Sequence, residues 1–309
     1  MHAQRLWTCT KLRVLTRKKR RRGLELKLTA TIKASKPSAA FERDAHLNLN
    51  VGMGEKPEMQ KMISAQVVIP VDGQRAMSAY LSYPQTQGSY PAVIVGMELF
   101  GVTQYIRNVT DRIAALGYLA IAPDFYHRLE PDVELTYDQA GRTKGFELLH
   151  QVSRSDALQD VMATMHFLRH RADCSGRIGF LGLSVGGHIG YLVATQLDLA
   201  ACAIFYAGWL TNTDIELSQP EPTLTLTPGI ARQGGQVLYF VGEKDALVLP
   251  AQREEIASSL AASKVAHEIV IYPEAQHGFF CEERDTYDPA ASADAWNRTL
   301  KLFASALGS

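Results

Sequence analysis

The sequence predicts an α/β protein built on a mainly parallel, doubly wound sheet flanked by helices, and two patterns in residues 63–309 carry that prediction. Short continuous apolar runs such as Ala92-Val-Ile-Val-Gly96 and Arg177-Ile-Gly-Phe-Leu-Gly182 alternate with stretches of helical period. Strands apolar on both faces belong in a parallel sheet covered on both sides. Composition agrees: at 46% apolar and 21% charged residues, the chain is neither disordered nor a disulfide scaffold.

Taken in order, Gln66-Val-Val-Ile-Pro70 and Ala76–Tyr83 are short β-like runs around the turn Asp72-Gly73, and predict a hairpin at a sheet edge. Ala92–Gly96 is then a buried strand, Thr103–Leu116 a helix, Tyr118–Ala122 a strand, Ser153–His170 a helix and Arg177–Gly182 a strand. Later strands fall at Ala201–Tyr206, Gln236–Val241 and His267–Tyr272, with helices near Val185–Thr195, Pro250–Ala262 and Ala290–Ala306. Residues 129–150 and 210–235 read as long loop-like insertions that shape a pocket. No internal repeat is visible.

Equal totals of 32 basic and 32 acidic residues conceal an uneven distribution. Residues 1–62 hold 15 Lys and Arg against 5 Asp and Glu, including the run Arg17-Lys-Lys-Arg-Arg-Arg22. This basic extension lacks the periodicity of a folded element. It is expected to be a disordered tail, or translated sequence ahead of a start at Met53, Met59 or Met62. Clustered cations would also suit an anionic surface, but nucleic acid is not an expected partner, because the basic run 17–22 is the one feature favouring it.

No stretch reaches the length of a membrane span, and no apolar core of a signal peptide follows the basic residues. Cys9, Cys174, Cys202 and Cys281 show no paired spacing. Reduced thiols in a cytoplasmic protein, without disulfides, are therefore expected.

The chemistry is concentrated in three places. Gly182-Leu-Ser-Val-Gly186 follows a predicted strand and precedes a predicted helix. A serine on such a sharp turn needs strained backbone angles, and small neighbours let strand and helix approach. The helix start then offers free N–H groups to an oxyanion. Ser184 is a weak nucleophile without a base, and that base needs an orienting carboxylate. Asp245, in Gly242-Glu-Lys-Asp245, and His277, in Gln276-His-Gly-Phe279, both lie just past later strands. The carboxyl ends of parallel strands are where such sheets bind ligands, and the order Ser, Asp, His is that of the α/β-hydrolase fold.

His267 inside a strand, His188 on the helix after Ser184 and Asp214 in a polar loop are read as structural. His166 and His170 are four apart on a helix but lack a zincin glutamate or third ligand, so no metal is expected. No nucleotide-binding motif is present either, so no cofactor is expected.

These motifs resemble the dienelactone hydrolase family of α/β-hydrolases, with similarity from about residue 65 to the C-terminus. Met97-Glu-Leu-Phe-Gly101, Ala122-Pro-Asp-Phe-Tyr-His-Arg128, Gly182–Gly187 and the loops around Asp245 and His277 all carry it. The resemblance implies cofactor-free hydrolysis of a small ester or lactone through an acyl-enzyme. It implies Ser184 as nucleophile, His277 as base, Asp245 as orienting acid, and the backbone N–H groups of Leu99 and Val185 as oxyanion hole. It places Glu98 beside the nucleophile, controlling its protonation, and Arg128 on a substrate carboxylate.

Two departures stand out. The founding members carry cysteine where Ser184 stands, and a second arginine where Cys281 stands, which leaves half a carboxylate clamp. Trp209, Tyr126, Phe279 and Phe280 are candidates for an apolar acyl pocket. The expected partner is a small-molecule ester or lactone, and the expected state is a monomer or small homo-oligomer. A serine peptidase or acyltransferase, or a non-enzymatic binding protein on the same fold, are the competing readings.

Overall fold

A computed structural model describes residues 61–308. The basic extension lies outside the described residues except at its end, where Met62 already opens the first strand. That strand, β1 (Met62–Pro70), pairs antiparallel with β2 (Ala76–Pro84), with Ile69 opposite Met77. The turn between them is closed by Asp72, whose Oδ1 accepts from the Gln74 and Arg75 amides at 2.9 and 2.8 Å.

The chain then alternates: β3 (Tyr90–Gly96), α1 (Gln104–Ala114), β4 (Leu119–Pro123), α2 (Gln139–Leu149) and α3 (Arg154–Arg169). Next come β5 (Cys174–Leu183), α4 (Val185–Ala194), β6 (Ala201–Phe205), α5 (Pro228–Gln233), β7 (Gln236–Gly242), α6 (Pro250–Ala262), β8 (Ala266–Tyr272) and α7 (Pro289–Leu307). The eight strands form one sheet in the order β1-β2-β4-β3-β5-β6-β7-β8. Only the β1–β2 and β2–β4 pairs are antiparallel. Among the described residues, no helix is long and apolar enough to cross a membrane.

The continuous apolar runs become the central strands, and Ala92 to Val95 of β3 are fully buried. Each such Val or Ile contributes about 1.5–3 kcal/mol by leaving water. Alternation along β5 separates the two helical layers. Gly179 lies against Phe303 and Leu307 of α7, whereas Phe180 lies against Gly190 of α4. Arg112 of α1 stacks on Trp296 of α7 at 4.2 Å, so those two helices share a face.

Two features place the site. The chain leaves β3 toward β4 on one side and returns to β5 on the other, so the loops after β3 and β5 face each other at a switch point. The Gly186 amide donates to Met97 O at 2.9 Å and ties those loops together. The second departs from the loop expected over residues 129–150: residues 139–149 form helix α2, capped by Asp138, whose Oδ1 accepts from the Gly141 amide at 2.8 Å. Residues 210–235 hold two 3-10 turns (Glu216–Ser218 and Thr223–Leu226) and α5.

Candidate active site

Ser184 stands between the last residue of β5 and the first of α4, with φ 55° and ψ −113°. This is a strained conformation for a residue with a side chain. Packing enforces it: a Cβ on Gly186 would lie 2.3 Å from the Gly96 backbone, so the helix can sit on β3 only with glycine there. Ser184 itself is held by its amide, which donates to Phe205 O at 3.0 Å.

The loops after β7 and β8 bring the two predicted partners to it. Ser184 Oγ lies 2.9 Å from His277 Nε2, and His277 Nδ1 lies 3.0 Å from Asp245 Oδ2. A carboxylate only accepts, so Nδ1 carries the hydrogen and Nε2 is left to accept from the serine hydroxyl. Asp245 is buried, and its Oδ1 accepts from the Leu247 amide at 2.8 Å. The edge of the Tyr206 ring backs the imidazole at 5.0 Å between ring centres. The arrangement can pass a proton from Ser184 to His277 while Asp245 fixes the ring.

Leu99 and Val185 line the same cavity as Ser184 and His277. No hydrogen bond occupies either amide among the described residues. Tyr126, named from sequence as a substrate contact, is fully buried behind this loop, and its OH donates to Leu99 O at 3.0 Å. Phe279 is likewise buried outside the cavity, against Tyr206 and Tyr272 at 5.4 and 5.2 Å. Phe280 is buried on Trp296.

The cavity has a volume of about 330 Å³. Its apolar wall combines Phe146 and Leu149 of α2 with Leu247 and Trp209, and the Phe146 and Trp209 rings meet edge to face at 6.3 Å. Trp209 is therefore brought to the site. Arg142 and Lys244 add cationic groups to the lining.

Arg128 requires a correction. It does not line the cavity but turns to α3, where Asp156 and Asp160 stand one helical turn apart. Its guanidinium bonds Asp160 and Gln159 Oε1, the latter at 2.8 Å. A residue so engaged is not available to a substrate carboxylate in the cavity.

Arg284, which sequence reasoning missed, reaches the cavity instead. Its Nη1 lies 3.4 Å from Glu98 Oε1, which also accepts from Tyr206 OH at 3.0 Å. Glu98 is only 2% exposed. Burial, and then the Glu98 charge, push the Tyr206 phenol well above its usual pKa, so it remains a donor. The same two causes push the Cys281 thiol up, so it stays a neutral, buried group. No motif in the sequence marks Arg284; it fits here because Gly278, at φ 82°, leaves the space where a Cβ would meet its guanidinium at 2.0 Å.

Comparison with known proteins decides the family. The dienelactone hydrolase family profile matches residues 77–307. The chain belongs to the dienelactone hydrolase family. Among its relatives, a Synechocystis protein named "Putative carboxymethylenebutenolidase" is 37% identical over 232 residues, spanning 74% of this chain and 91% of its own. An Escherichia coli protein of the same name is 31% identical, spanning 76% of this chain and 84% of its own. A Klebsiella pneumoniae crystal structure described as "Putative Dienelactone Hydrolase" superposes with a TM-score of 0.70 at 29% identity, covering 79% of this chain and 99% of its own. This member of the dienelactone hydrolase family is thus a hydrolase on the α/β-hydrolase fold. Position 281, where the founding members carry a second arginine, is the buried Cys281, and Arg284, seven residues after His277, is the arginine of this loop that lines the cavity.

Proposed function

We propose that the protein hydrolyses a small carboxylic ester or lactone through an acyl-enzyme formed on Ser184. The observation that carries this reading is the unbroken chain Asp245–His277–Ser184, with both links at 3.0 Å or less, opening onto a cavity lined by Leu99 and Val185. Ser184 Oγ attacks the carbonyl carbon as His277 Nε2 takes its proton. Asp245 holds the imidazole and offsets its charge. The Leu99 and Val185 amides receive the oxyanion, where donors fixed in advance stabilise the transition state most. His277 returns the proton to the leaving oxygen, and a water activated by the same nitrogen releases the acid.

The cavity volume suits a small molecule. The relatives' name, carboxymethylenebutenolidase, supports lactones beside open esters as the substrate class. A peptidase or acyltransferase gains no specific support from the site.

The test is hydrolysis of short-chain p-nitrophenyl esters by wild type and Ser184→Ala, with fluorophosphonate labelling of both. The variant is expected to lose at least about 10⁴-fold in kcat, and the label to appear on Ser184 alone. Turnover by the variant at a near-wild-type rate would overturn the assignment, and an unlabelled wild type would point to a binding protein.

A further inference from the structure

Beside Ser184 the cavity contains polar groups that the proposed mechanism does not use. Glu98 Oε1 is engaged by Tyr206 and Arg284, but its Oε2 is buried without a hydrogen-bond partner. Arg284 Nε is buried and equally unpartnered, as is Thr286 Oγ1. All three residues line the cavity that holds Ser184 and His277.

This arrangement is built rather than incidental. The Arg284 guanidinium faces the Phe100 ring at 5.7 Å, and on another side it occupies space that only a glycine at 278 leaves open. Burial works against its charge, yet the facing Glu98 carboxylate holds its pKa above the ordinary value. Buried donors and acceptors almost always find partners, so unmet ones lining a cavity are positions that a water fills and that a substrate group of matching chemistry can take over.

The chemistry of the free positions selects the ligand. Glu98 and Arg284 form an ion pair whose charges offset each other, and a carboxylate placed there would also face the free oxygen of Glu98. What the pair leaves open is one acceptor, Oε2, and one donor, Nε–H, with a hydroxyl on Thr286. A neutral group that both donates and accepts satisfies that set, and an alcohol is the smallest such group.

We propose that Glu98, Arg284 and Thr286 form a hydroxyl-recognition subsite, so that the preferred substrate carries a free hydroxyl on its acyl part. The hydroxyl donates to Glu98 Oε2 and accepts from Arg284 Nε or Thr286 Oγ1. Glu98 and Arg284 act here as specificity-determining residues. This inference rests on the ester or lactone hydrolase reading given above.

The experiment compares kcat/KM for ethyl butyrate, both enantiomers of ethyl 3-hydroxybutyrate, and monoethyl succinate. Wild type is expected to favour one hydroxy ester over ethyl butyrate by at least about tenfold, the size of effect that follows when buried polar groups are left unpaired. In Arg284→Met and Thr286→Val that ratio is expected to fall toward one. The ratio is internal to each variant, so a general loss of active protein does not mimic the result, and Thr286→Val serves if Arg284→Met fails to fold. Equal rates on the hydroxy and deoxy esters, or a preference for the succinate, would overturn the subsite. Absence of all ester turnover together with absence of fluorophosphonate labelling would instead overturn the underlying hydrolase reading.

Discussion

His188 shows how a single buried side chain supports the site from outside it. It is fully buried on α4, with Nδ1 2.9 Å from Gly208 O and Nε2 2.8 Å from Thr223 Oγ1. The carbonyl only accepts, so Nδ1–H donates to it and Nε2 accepts from the threonine. The imidazole thereby pins the backbone beside Trp209, whose φ of 57° is strained, to the 3-10 turn at Thr223. Burial lowers the His188 pKa from 6.5 to about 4. On acidification the unfolded chain therefore takes up this proton first. The stability His188 provides is whole above pH 6.5 and is lost as pH falls toward 4. A shift of this size is worth about 3 kcal/mol. Urea melts of wild type and His188→Gln at pH 7, 5.5 and 4 check this. The wild type should lose more stability across the series than the variant, and parallel losses would rule out His188 as the titrating group.

At the scale of elements, α2 decides what the cavity accepts. It supplies Arg142, Phe146 and Leu149 to the lining, and its first turn is fastened by Asp138. Replacing Asp138 by Ala should cost about 1 kcal/mol, which in a domain of this size lowers Tm by about 2–4 °C. Because α2 lines the cavity wall and carries none of Ser184, Asp245 and His277, KM for the short esters should rise more than kcat falls. Thermal melts and steady-state kinetics read both effects, and a drop in kcat alone would place α2 in the chemistry instead. The helix was illegible in the sequence for a physical reason. Gly141 and Gly145 weaken its propensity, yet a Cβ at Gly145 would come within 2.6 Å of Leu99, so the glycine serves the packing of α2 against the loop after β3. By contrast α3 was legible, since Ser153 caps it and the Asp156 amide donates to Ser153 Oγ at 3.1 Å.

Across the whole molecule, every residue assigned a role in the site falls between Glu98 and Thr286. The family match likewise begins only at residue 77. A chain starting at Lys61 should therefore retain kcat/KM for short esters within about twofold of the full chain at moderate salt, where charge effects between distant groups are screened. A tenfold loss in the shortened protein would show that the basic extension takes part in catalysis.

The sequence by itself determined the alternation of strands and helices, the edge hairpin and the three loops that carry Ser184, Asp245 and His277. These follow from local rules: continuous apolar runs, a glycine-flanked turn, and the ends of parallel strands as the place for ligands. Only the tertiary structure decided where the arginines go. A side chain's position along the chain does not set its direction, and Arg128, adjacent to a conspicuous motif, is drawn to the acidic pair on α3 by charge. Arg284 lies in no motif, and it reaches Glu98 only because the loop after His277 folds back over Gly278 and Phe100. Contacts between residues 186 positions apart depend on how loops pack in three dimensions, which no pattern of neighbours along the chain encodes.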